Sequence, residues 1–121
     1  RQIRFDRQNN AVFLKDYCCF NEPSAFIDRL LTPHKPLVKR DHVVINAGKE
    51  SMSVFFDASV VKVEISREED KNHQGENRLT YIIDFVSRKP ALEHLVLLSI
   101  RDNLSCRRKL GRILSFKRNK S

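Results

Sequence analysis

Three carboxylates, Asp57, Glu64 and Asp84, fall on or beside segments with strand character, and Lys62 lies close by. Such a set could hold Mg²⁺ and serve a metal-dependent nuclease. The alternation in VVKVEIS places Glu64 opposite the apolar face, so Glu64 and Asp84 read instead as solvent-side partners of basic residues on neighbouring strands. The four histidines, His34, His42, His73 and His94, show no H-x-x-x-H spacing. A zinc site would need Cys18, Cys19, His42 or His94 to converge in space. The chain has no Gly-x-Ser-x-Gly elbow, and Gly48, Gly75 and Gly111 form no phosphate-cradling loop. No catalytic residue, metal site or cofactor is assigned, and the expectation is a non-enzymatic protein.

The elements that would position these residues are mostly strands. Ile3 and Phe5 alternate with charged neighbours, Asn9-Asn10 suits a tight turn, and Ala11 to Phe20 is rich in apolar and aromatic residues: a β-hairpin. Asn21-Glu22-Pro23-Ser24 reads as a helix start, and Phe26, Ile27, Leu30 and Leu31 fit one face of a short helix over 24–31. Thr32 to Pro36, with two prolines, ends it. Strands are expected in 37–47, 51–56, 60–66 and 79–86. The twelve polar residues 67–78 read as a solvated loop. Residues 91–100, ALEHLVLLSI, suit a helix or a buried strand; the capping residues Asp102 and Asn103 favour a strand ending near Ile100. From Leu104 onward, Cys106, Leu110, Ile113 and Leu114 share one face of a predicted amphipathic helix, with Arg108, Lys109 and Arg112 on the other.

This order, VFF, VVKVEIS, a polar loop, LTYIIDFV, LVLLSI and then NLSCRRKLGRIL, resembles the pleckstrin-homology-like superfold. The resemblance implies an α+β fold: an antiparallel barrel or sandwich of six to seven strands, an inserted short helix, and a C-terminal amphipathic helix closing one end. Residues 1–115 would form this domain and 116–121 a basic tail. It also implies a binding module. Phosphoinositide binding in that family uses basic residues on the first hairpin; Arg4, Arg7 and Lys15 stand in the matching places, but Ala11-Val12-Phe13-Leu14 replaces the dense basic pattern, so membrane lipid is not favoured.

Charge is the sharpest functional signal. The chain of 121 residues carries a net +8, and residues 101–121 hold eight basic residues against one acid. The first 100 residues are nearly balanced, with 15 basic and 14 acidic. At 40% hydrophobic and 31% charged, the chain is long enough for one core, and no apolar run approaches the ~20 residues of a membrane span. Three cysteines, two adjacent and none in C-x-x-C, suit reduced thiols inside a cell. A first residue other than Met suggests a piece of a larger protein. The leading expectation is therefore an intracellular interaction module, a scaffold type binding a protein or peptide through a strand edge or groove. The alternative is nucleic-acid binding through Arg101, Arg107, Arg108, Lys109, Arg112, Lys117, Arg118 and Lys120, since clustered cations neutralise phosphates. The short cluster Lys117-Arg118-Asn119-Lys120 also fits a nuclear address, favouring nucleus over cytoplasm.

Overall fold

A computed structural model describes residues 1–71 and 73–103. Nine strands account for most of them: β1 Gln2–Asp6, β2 Ala11–Ser24, β3 Ile27–Thr32, β4 Pro36–Val38, β5 His42–Ala47, β6 Glu50–Phe55, β7 Val61–Lys71, β8 Asn77–Ser87 and β9 Ala91–Asp102. They build two antiparallel sheets. Sheet A has the order β1-β2-β9-β6-β5-β4, and sheet B the order β3-β8-β7. The expected α+β fold is thus corrected to a nearly all-β one, with more strands than the six or seven anticipated and no helical element among the described residues. The pleckstrin-homology-like reading falls with it. The predicted C-terminal helix from Leu104 and the tail 116–121 lie outside the described residues.

The turns explain the local pairings. Asn10 takes the left-handed region (φ 46°) in the β1–β2 turn, and Asp6 holds that turn by accepting from the Asn9 backbone N–H at 3.2 Å and its side-chain Nδ2 at 2.6 Å. Gly48 (φ 64°) opens the two-residue turn between Ala47 and Glu50, which face each other in the β5–β6 register.

The inserted helix over 24–31 is replaced by β3. Its six residues pair with β8 from Ile27↔Val86 to Thr32↔Tyr81. Asp28 and Thr32 turn inward and are buried, while Ile27, Arg29 and Leu31 face out. The i, i+4 spacing of apolar residues was real, but a two-turn helix has too few internal hydrogen bonds to stand alone, and pairing with a partner strand wins. Asn21 to Ser24 end β2 instead of starting a helix. Pro23, which cannot donate to a ladder, lies in the stretch where the β2–β9 register shifts. The chain then passes from sheet A to sheet B through Ala25-Phe26. Phe26 N–H donates to Ser87 Oγ at 2.9 Å and Ser87 N–H to Phe26 O at 2.8 Å, which fixes that corner.

The polar run 67–78 is mainly strand. β7 and β8 continue as a ribbon to Lys71↔Asn77. Arg78 forks onto Asp70 across the ribbon, Nε to Oδ1 at 3.0 Å and Nη2 to Oδ2 at 2.8 Å. A ribbon wet on both faces needs no apolar residue. Residues 91–100 form β9, the preferred of the two readings: His94, Val96 and Leu98 are buried, and Leu95 and Leu97 alternate outward.

The core lies between the sheets. Leu14, Val43, Ile45, Val54, Val96 and Leu98 from sheet A meet Val61, Ile83 and Phe85 from sheet B. Phe85 is fully buried, with its ring 5.6 Å from that of Phe56.

Candidate functional site

Residues directly opposite each other in an antiparallel pair share a face. Following the register across sheet A gives one row on its outer side: Arg4 (β1), Phe13 (β2), Ser99 (β9), Phe55 (β6) and His42 (β5). The row is physically coupled. The Arg4 guanidinium lies over the Phe13 ring, 4.6 Å from its centroid, and His42 stacks on Phe55 at 5.0 Å. Arg101 leans over Phe55 at 5.7 Å while its Nε donates to Ser99 Oγ at 3.1 Å. The next row places Gln2, Lys15 and Leu97 together. Between these residues lies an open concavity of about 510 Å³, with Arg4, Phe13, Lys15, Phe55, Leu97 and Asp57 on its walls. Asn103 sits beside the same face: Ser53 Oγ donates to its Oδ1 at 2.6 Å, and its Nδ2 donates to Ser51 Oγ at 2.7 Å.

The sheets end in four edges of different character. β4 is three residues long and begins with Pro36. β7 carries Lys62, Glu64, Arg67, Glu68, Glu69, Asp70 and Lys71. β3 points a carboxylate, Asp28, inward. Short strands, prolines, charges and inward charges all discourage a further strand. β1 has none of the first two and aims Ile3 and Phe5 to the inner side, opposite Leu14 and Val12. Sheet B leaves them uncovered, with Ile3 53% and Phe5 72% exposed.

A third feature is buried. Asp16 on β2 and Asp28 on β3 face one another between the sheets at 5% and 4% exposure. Arg1 donates from Nε to Asp16 Oδ1 at 2.8 Å and from Nη2 to Asp16 Oδ2 at 2.9 Å, and reaches Asp28 Oδ1 at 3.4 Å. Asp28 Oδ2 is buried without a donor. Arg1 holds the Asp16 carboxyl below its usual range. Burial, with Asp16 alongside, pushes Asp28 up to about 7. Below about pH 7 the pair therefore holds close to one negative charge against one guanidinium.

The residues expected from the sequence are dispersed. Glu64 and Asp84 do stand opposite each other on sheet B, with Asp84 forked by Arg29. Asp57, however, caps the turn before β7, accepting from the Ser59 N–H at 2.9 Å and its hydroxyl at 2.6 Å. Cys18 faces His94 across β2 and β9, Cys19 points to the other side, and His42 is on the outer row. Among the described residues no three His, Cys, Asp or Glu side chains gather as a metal site would require. Of the cationic set, Arg101 joins the outer face of sheet A; Arg107, Arg108, Lys109, Arg112, Lys117, Arg118 and Lys120 lie outside the described residues. Sequence reasoning missed Phe13 and Phe55. The hairpin alone pairs Phe13 with Arg4, but bringing Phe55 beside them needs β9 between β2 and β6, which no local pattern encodes. No protein-family model matches this chain, and no curated protein matches it significantly.

Proposed function

We propose that this chain is a non-enzymatic interaction module of a larger intracellular protein, and that it takes a partner polypeptide as an added strand on the free edge of β1. The supporting observation is that edge itself: five residues with no proline, Ile3 and Phe5 bare on one side and Arg4 on the other. Strand addition draws affinity from main-chain hydrogen bonds and selectivity from alternate side chains. A partner strand here would set apolar residues against Ile3 and Phe5, and acidic or polar residues beside Arg4. The preferred partner is thus an extended peptide that alternates apolar with acidic residues.

The test is selection of random peptides on the full chain, followed by amide mapping of the winners by NMR. The expected winners alternate as described, protect the backbone amides of 2–6 from exchange, and bind about tenfold more weakly to an Ile3→Lys, Phe5→Lys variant that keeps its fold. Winners that shift residues away from β1, or that bind the variant equally, would overturn the proposal.

A further inference from the structure

The outer face of sheet A carries a second site, which shares only Arg4 with the β1 edge. We infer that it binds single-stranded nucleic acid, with bases stacking at Phe13 and Phe55 and phosphates meeting Arg4, Lys15 and Arg101.

The argument begins with spacing. Phe13 and Phe55 stand in one cross-strand row, separated only by Ser99 on β9. Ser99 is small, so the two rings are not walled off from each other, and the concavity of about 510 Å³ opens between them. Proteins that hold single strands without reading sequence combine aromatic rings as stacking platforms with cations that follow the backbone. Both components are present. Each ring has its own guanidinium: Arg4 at 4.6 Å from Phe13 and Arg101 at 5.7 Å from Phe55. In the free protein these cations cover the aromatic faces. A phosphate offers them a charge-assisted partner, and a base takes their place on the ring. Lys15 adds a third cation one row away.

Charge commits the face to a polyanion. Asn103, tied to Ser51 and Ser53, stands on this side of sheet A. The sequence that follows holds seven basic residues and no acidic one. On this face Arg4, Lys15 and Arg101 outnumber the one carboxylate on the wall of the concavity, Asp57, while Glu68, Glu69 and Asp70 cluster on the ribbon of sheet B. A flat duplex would not reach partly sunken rings, whereas the unstacked bases of a single strand can.

The experiment is fluorescence anisotropy of a labelled short oligothymidylate titrated with the full chain at several salt concentrations. Three outcomes are expected together. Affinity falls linearly in log–log form as salt rises. Phe13→Leu with Phe55→Leu weakens binding by about tenfold or more with the salt slope unchanged, because rings and not charges are lost. Arg4→Gln, Lys15→Gln and Arg101→Gln together lower both affinity and slope. Circular-dichroism melts establish that each variant is folded. If the Phe variant unfolds, photocrosslinking of a 4-thiothymidine oligonucleotide to the wild-type chain replaces it, with Phe13 or Phe55 as the expected attachment points. An abasic oligomer of equal charge should bind about tenfold more weakly. Equal binding of the abasic oligomer, tighter binding of polyglutamate, crosslinks elsewhere, or no binding at all would overturn the site. The Phe13, Phe55 and abasic results do not depend on whether a peptide adds to β1, because only Arg4 is common to the two sites.

Discussion

Asp16 and Asp28 come from different sheets, yet their carboxyls face each other across the interior, with Arg1 forked onto the first and touching the second. Two adjacent buried carboxylates cannot both ionise cheaply, and one arginine offsets only one of them. The pair therefore divides its roles. Asp16 is the ion and Asp28 the acid, neutral when folded up to about pH 7.

This division predicts a pH dependence of stability. Asp28 has a folded pKa of about 7 against an ordinary value of 3.8. Between those values the folded chain binds more protons than the unfolded one, so this contribution is full below the ordinary value and is lost as pH rises through about 7. Asp16 works oppositely: its contribution is present above the ordinary carboxylate range and disappears as pH falls through its depressed value. Asp28→Asn removes the first effect and keeps a donor for Asp16. At pH 8 the variant should be more stable than wild type by ~2 kcal/mol, with the advantage gone near pH 5. Urea melts at both pH values measure it; a constant offset would show that Asp28 does not titrate in this range.

His94 anchors the corner where β2 leaves sheet A. It is 7% exposed, its Nε2 is 2.6 Å from Ser24 O, and its ring contacts Phe20 edge-on and Phe26 face-on, both at 5.9 Å. His94→Ala would leave the Ser24 carbonyl without its partner and open a void between two aromatic rings. The expected loss is about 2–4 kcal/mol in chemical denaturation, with exchange of the 20–26 amides accelerated ahead of the core strands. A loss spread evenly over all amides would place the role of His94 in the whole core and not in the corner.

These pairings show what the sequence could carry. The β1–β2 hairpin, the Gly48 turn and the alternating start of β7 are local features, and alternation with turn residues identifies them. β3 reads as a helix because Phe26, Ile27, Leu30 and Leu31 fit the helical period, whereas on the strand Ile27 and Leu31 fall on the outer face and the inner one carries Asp28. The end of β7 and the start of β8 read as loop because a ribbon wet on both sides lacks the apolar signal that marks strands. The Arg4–Phe13–Ser99–Phe55–His42 row and the Asp16–Asp28 contact depend on long-range register, which arises only when β9 inserts between β2 and β6 and when sheet B packs on sheet A. Arg101 is the one residue of the sequence-derived cationic set that the described residues include.

The adjacent cysteines should differ in reactivity. Cys18 points to the inner side opposite His94, half-buried, and burial pushes its thiol up; Cys19 is exposed on the other side beside the Tyr17 hydroxyl, 3.1 Å away. The thiolate is the nucleophile, so Cys18 is hindered both in access and in ionisation. In a Cys106→Ser background, iodoacetamide should modify Cys19 about tenfold faster than Cys18, as read by peptide mass mapping. Equal rates would mean that the β2–β9 pairing opens on the timescale of labelling.

On sheet B, Glu64 and Asp84 are directly opposed in the β7–β8 register, a like-charge pairing that should be unfavourable. Arg29, opposite Asp84 on its other side, forks onto that carboxylate from Nε at 2.8 Å and Nη2 at 3.1 Å. Lys62 reaches Glu64 at 3.5 Å. The row thus runs cation, carboxylate, carboxylate across three strands, with Lys62 beside Glu64 on β7, and Arg29 makes the opposed carboxylates tolerable. Arg29→Ala should lower the melting temperature by roughly 3 °C, and Glu64→Gln in the same chain should restore most of the loss, because the repulsion then has no second partner. A double-mutant cycle by thermal melting measures this coupling. If Arg29→Ala has the same effect with Glu64 and with Gln at that position, the arginine acts through Asp84 alone, and the opposed pair carries no strain for it to relieve.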